Sequence, residues 1–155
     1  MKNIEPNQPK IKPLAEIPET LMALMLGMWE KELGEIPKLS NNLIVTYFDT
    51  IYTNHPLRED YYIHEMVHFI RQGNGENQAL AQDFCMRYLR DRDFRLQEEI
   101  LAYREQYRFR KASLNRPQAF EYAKFLAKEL SSEKYGKDLI SFHGALQAIT
   151  STDGQ

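Results

Sequence analysis

Two histidines four residues apart, with a glutamate directly after the first, are the residues of this chain best suited to chemistry: His64-Glu65-Met66-Val67-His68. On an α-helix, residues four apart lie about 40° apart around the axis and about 6 Å along it. Two imidazoles so placed converge on one metal ion from one helical face, and zinc is the ion that such a pair suits. Glu65 points near the same ion but too far round the helix to be a good ligand. It is placed instead to take a proton from a water whose pKa bound zinc lowers to about 7. It can then return that proton to a leaving amine. The surroundings agree: no other side chain between Tyr61 and Ile70 is ionised at neutral pH, whereas a solvated helix carries charges there. Buried imidazoles and a buried carboxylate need partners, and a metal supplies them.

A hydrolytic zinc site takes a third protein ligand and keeps its fourth position for water. A third histidine six residues beyond His68 is excluded, because Asn74 stands there and Arg71 occupies the position of the accompanying glycine. His55 sits in a turn beside Pro56, and His143 lies far downstream. The better option is a glutamate on a following helix, and Gln97-Glu98-Glu99-Ile100-Leu101-Ala102-Tyr103 provides it. Ala102 and Tyr103 share the face of Glu99, and a small residue there lets the two helices approach closely. Glu98, about 100° round, is the second choice. An oxyanion stabiliser near the ion should be a Tyr, His or Arg; Tyr103 is the choice here, with Tyr107, Arg104 and His143 as alternatives.

These residues need elements to carry them. Residues 1–17 contain Pro6, Pro9 and Pro13 and read as an extended or mobile arm, because proline blocks helix and most sheet pairing. Leu21, Leu24, Met25, Met28 and Trp29 recur at helical spacing over 18–33, with Gly34 as a stop. That helix packs in a core or, through its methionines, offers a partner face. Residues 43–48 are β-branched and aromatic and read as a strand, followed by a second strand or extended turn at 51–53. Such a strand beside a cleft can pair with an extended substrate. Asp60 is positioned to cap a helix from Tyr61 to about Gln72. Further helices are expected over 78–90, over 96–111, from Pro117 to about Leu130, and from about Leu139 to Ile149. The run Arg90-Asp91-Arg92-Asp93 reads as a solvated helix end. The expected fold is α+β, mainly α: a minimal zincin-like domain over 18–150, with a small β element before the active-site helix and a polar tail at 151–155.

The H-E-x-x-H followed by E-x-x-A-Y resembles the small gluzincin-type zinc metallopeptidases. More closely, residues 64–72 (HEMVHFIRQ), residues 99–106 (EILAYREQ) and the pattern Leu130-Ser131 with Tyr135-Gly136 resemble short metallopeptidase sequences of bacteriophages and prophages. The ImmA/IrrE-type peptidases share the scheme more distantly. The resemblance covers roughly residues 42–150. It departs at Leu101, where related sequences often carry a second glutamate. It implies zinc and peptide-bond hydrolysis, with a peptide or protein as substrate.

Composition sets the frame. The 155 residues are 43% hydrophobic and 27% charged, and 20 Lys+Arg against 22 Asp+Glu leave a net charge of -2. That balance suits one soluble domain and gives no electrostatic case for nucleic acid or an anionic membrane. The uncharged run 21–29 is too short to span a bilayer, which takes about 20 apolar residues. The cytosol is therefore the expected compartment. Cys85 is the only cysteine, so any metal site must be built from imidazole and carboxylate. The alternative from another class is a catalytically silent zinc-binding phage interaction or assembly protein, docking through the methionine-rich helix. An intact Glu65 favours catalysis, since a purely structural site has no need of it.

Overall fold

A computed structural model describes residues 7–35 and 42–151. Residues 1–6 of the expected arm and 152–155 of the expected tail lie outside the described residues. The fold is α+β, mainly α, with six α-helices and one three-stranded sheet among the described residues.

The sheet is built from β1 (Lys10–Lys12), β2 (Val45–Tyr47) and β3 (Thr50–Tyr52), in the order β1-β3-β2. β2 and β3 form an antiparallel hairpin with Tyr47 opposite Thr50, turned by Phe48-Asp49. β3 is the central strand, and Thr50, Ile51 and Tyr52 are all buried. β1 pairs with it in parallel, Ile11 opposite Ile51. The segment read as an arm is thus partly a strand: Pro9 and Pro13 flank the three paired residues instead of interrupting them. It is also anchored at Asn7, whose backbone and side chain bond Asn74 at 2.9 and 2.8 Å.

α1 (Glu19–Leu33) ends at Gly34, whose φ of 75° is the left-handed conformation that suits a helix stop. Its Leu21, Met25, Met28 and Trp29 are buried in a cluster with Ile17 and Tyr52. The methionine face is turned inward, with Met25 and Met28 buried and Met22 half-buried. α2 (Glu59–Arg71) starts at Arg58 without a side-chain cap. Asp60, expected as the cap, is instead buried inside the first turn and accepts hydrogen bonds from Tyr122 and Arg58. α3 (Gln78–Arg90) and α4 (Arg92–Lys111) meet at Asp91, which ends the first and caps the second by accepting from the Phe94 amide at 3.0 Å. The charged run there is a helix junction, and α4 begins earlier than its apolar pattern suggested. α5 (Arg116–Leu130) opens with an Asn115/Gln118 capping box and Pro117 in its first turn. α6 (Phe142–Thr150) closes a second core in which Ile100, Tyr103, Leu126, Leu130, Tyr135 and Ile149 pack together.

Two polar side chains tie these parts. Arg95, fully buried, donates to the carbonyls of Tyr88, Leu89 and Tyr135 and to Glu32 of α1. Gln72, just past α2, donates to the Thr46 carbonyl at 2.7 Å and accepts from the Phe48 amide at 2.9 Å. The Thr46 carbonyl of β2 and the Phe48 amide just beyond it are therefore already bonded within the fold. Among the described residues, no helix is long and apolar enough to cross a membrane.

Candidate metal centre

α2 and α4 lie side by side, and the fully buried Ala102 leaves room for the close approach. Their facing side chains form one buried group. His64 Nε2 and His68 Nε2 are 3.2 Å apart. The Glu99 carboxylate spans them, Oε1 at 3.2 Å from His64 Nε2 and Oε2 at 3.0 Å from His68 Nε2. Donor atoms held tetrahedrally at about 2.0–2.1 Å from one zinc ion stand about 3.3 Å apart. The two imidazoles and the Glu99 carboxylate are donors of the type that zinc takes, and the two imidazole nitrogens stand near that spacing. His64, Glu65 and His68 also bring donor atoms within 4.8 Å of one another. Glu65 Oε2, however, is 3.8 Å from His64 Nε2, farther than Glu99.

Electrostatics follow from this packing. Burial works against a charged His68, but the Glu99 carboxylate overrides it and pushes the pKa up to about 9. Burial likewise resists ionisation of Glu99, and the imidazoles of His68 and His64 override it, holding the carboxyl well below its usual range. Without a metal the group is a buried ion pair. Glu98, the alternative ligand, is engaged elsewhere, its carboxylate gripped by Arg71 at 2.5 and 2.7 Å.

A second layer fixes each member. The Gln106 amide oxygen lies 2.9 Å from His64 Nδ1 and accepts its proton, so Nε2 is the ring nitrogen that faces Glu99 and His68. Gln106 is itself oriented, because its Nε2 donates to the Tyr122 hydroxyl, which donates to Asp60 at 2.7 Å. Tyr88 donates to Glu99 Oε2 at 2.7 Å. Thr46 donates to Glu65 Oε1 at 3.0 Å, which leaves Oε2 free to take a proton.

His64, Glu65, His68, Glu99, Thr46 and Tyr88 line one cavity of about 760 Å³, walled largely by apolar residues of α1, the β2 approach and α3. Tyr103 lines it too, its ring edge-on to His64 with centroids 4.5 Å apart. Its hydroxyl donates to Glu129 at 3.2 Å and shares a hydrogen bond of 2.7 Å with the Tyr135 hydroxyl. The other three oxyanion candidates stand apart from the cavity. Arg104 donates to the Ala148 carbonyl, Tyr107 packs against the second core, and His143 is exposed on α6. His55, read as a turn residue, lines the cavity at its exposed rim.

Sequence reasoning missed Gln106, Tyr88, Thr46 and Glu129. Gln106 carried a usable signal, since it follows Glu99 by seven residues and so shares its helical face. The other three are brought in by tertiary packing alone. In comparison with known proteins, the chain matches no family model, no curated protein and no solved structure.

Proposed function

We propose that the chain is a zinc-dependent peptidase of the cytosol, with His64, His68 and Glu99 as metal ligands and Glu65 as general base. The observation that carries this reading is the state of Glu65. A buried carboxylate with one oxygen fixed by Thr46 and the other free, beside three converging donors and a cavity, is arranged for proton transfer. Zinc, when bound, supplies a Lewis acid that acidifies water and polarises a carbonyl. Glu65 Oε2 takes the proton of the attacking water and delivers it to the amine released when the peptide bond breaks. Thr46 keeps Oε1 occupied, so the proton resides on one defined atom. Gln106 and Tyr88 hold the ligand side chains in place and take no part in the chemistry.

The test compares wild type with Glu65→Gln, both loaded with zinc, on a peptide library read by mass spectrometry. A fall of at least 100-fold in cleavage is expected. Equal inactivity of the two zinc-bound proteins sinks the peptidase reading. One zinc per chain, lost in both His64→Ala and Glu99→Ala, is the expected metal analysis. Zinc kept in Glu99→Ala but lost in Glu98→Ala would transfer the ligand role to the neighbour.

A further inference from the structure

The fold gives nearly every carboxylate that it buries a cationic partner. Asp60 meets Arg58, Glu98 meets Arg71, Glu32 meets Arg92 and Arg95, and Glu99 meets two imidazoles. Glu65 is one partial exception, with the His64 Nε2 at 3.8 Å. The other is Glu129 on α5, half-buried and lining the same cavity. Among the described residues its carboxylate meets only neutral hydroxyls: Tyr61 donates to Oε1 at 3.0 Å and Tyr103 to Oε2 at 3.2 Å. The Tyr135 hydroxyl backs Tyr103, so the hydroxyl protons run toward the carboxylate. Among the described residues, the Arg58 and Lys134 side chains that line the cavity are turned to other partners. Arg58 bonds Asp60, and the Lys134 ammonium sits 5.2 Å from the centre of the Tyr135 ring.

We propose that Glu129, held by Tyr61 and Tyr103, is a subsite for a primary ammonium group of a bound peptide. Each carboxylate oxygen has one hydroxyl and keeps a lone pair for an N–H of the ligand, which makes a charge-assisted hydrogen bond. The ligand's charge supplies the cation that the fold leaves out, and the aromatic residues around it favour a cation over an anion. Because Tyr103 touches both Glu129 and the His64 ring, the subsite lies one tyrosine away from the metal ligands. That the ligand is a peptide rests on the peptidase reading; the ammonium chemistry does not. The ammonium is either the peptide's amino terminus or a lysine side chain.

The experiment measures binding to zinc-loaded Glu65→Gln protein, so that turnover is not required. The probes are three octapeptide mixtures: free amino termini without lysine, acetylated without lysine, and acetylated with lysine. At least one ammonium-bearing mixture should bind about tenfold tighter than the acetylated lysine-free one. The arm that does so identifies the source of the ammonium. Adding Glu129→Gln should erase that preference while leaving the zinc content unchanged. Equal binding of all three mixtures, or no binding of any, overturns the proposal, and neither result depends on the second variant folding. A preference that survives Glu129→Gln overturns it too. Discrimination in binding with no cleavage by wild type would remove the peptidase reading and leave the ammonium subsite standing.

Discussion

His64 owes its orientation to a neutral amide. Glu98 and Glu99 beside it meet cationic side chains or imidazoles, but the group that fixes His64 is Gln106, set in turn by Tyr122 and Asp60. A Gln106→Leu variant keeps the volume of the side chain and removes the acceptor. Zinc affinity should fall about 10- to 100-fold, with the circular dichroism of the fold unchanged; competition against a chelator measures it. His68 makes a second prediction. In the metal-free protein its proton is retained to a pH of about 9, against an ordinary value of 6.5. Metal must displace that proton, so apparent affinity rises about tenfold per pH unit over this window and levels off above it. The metal-free fold behaves oppositely. A raised pKa stabilises it fully below pH 6.5, and this contribution is lost as pH climbs through 9. Proton release on zinc binding, measured by calorimetry in buffers of different ionisation heat, checks the first; urea titrations of metal-free protein check the second. Spacing along the chain made His64, Glu65, His68 and Glu99 legible, because helical geometry alone brings each set to one face. Thr46 and Glu129 were not, since no local period links residues that meet across the cavity.

Among the elements, the short strand β2 depends on a side chain for much of its placement. Gln72 bonds its Thr46 carbonyl and its Phe48 amide, joining the strand to the end of α2. Replacing Gln72 with Leu leaves the buried Thr46 carbonyl and the part-buried Phe48 amide without that partner, at a cost of about 1–3 kcal/mol for the carbonyl if water does not reach it. It also loosens Thr46 against Glu65, so kcat should drop while zinc content holds. A Gln72→Leu protein with unchanged urea midpoint and unchanged kcat would contradict this role. Helices were the most legible part of the fold: Gly34 and Pro117 mark ends that the structure keeps. The boundaries that moved did so for stated reasons. Asp60 left the cap position for Tyr122, and Asp91 extended α4 toward its amino end. The strand at residues 10–12 was hidden because prolines flank it. The Phe48-Asp49 turn was hidden because it contains neither glycine nor asparagine, although Phe48 adopts a φ of 55°.

At the scale of the molecule, the cavity lies between two apolar clusters, one built on α1 and the sheet and the other on α4, α5 and α6. Zinc bound between α2 and α4 would stabilise the whole, by about 2.7 kcal/mol at a free concentration 100 times Kd. A thermal midpoint that does not rise with zinc, in a protein shown to contain it, would count against that site. Arg95 governs how the halves come apart. It holds Glu32 on α1, the last carbonyls of α3 and the Tyr135 carbonyl from a single guanidinium. A helix so riveted cannot open by itself, since its release leaves a buried cation short of a partner. In native-state hydrogen exchange, the α1 amides should therefore exchange only through the same opening as those of α4. Arg95→Met should split this single foldon in two, letting the first helix exchange early while α2 and α4 stay protected.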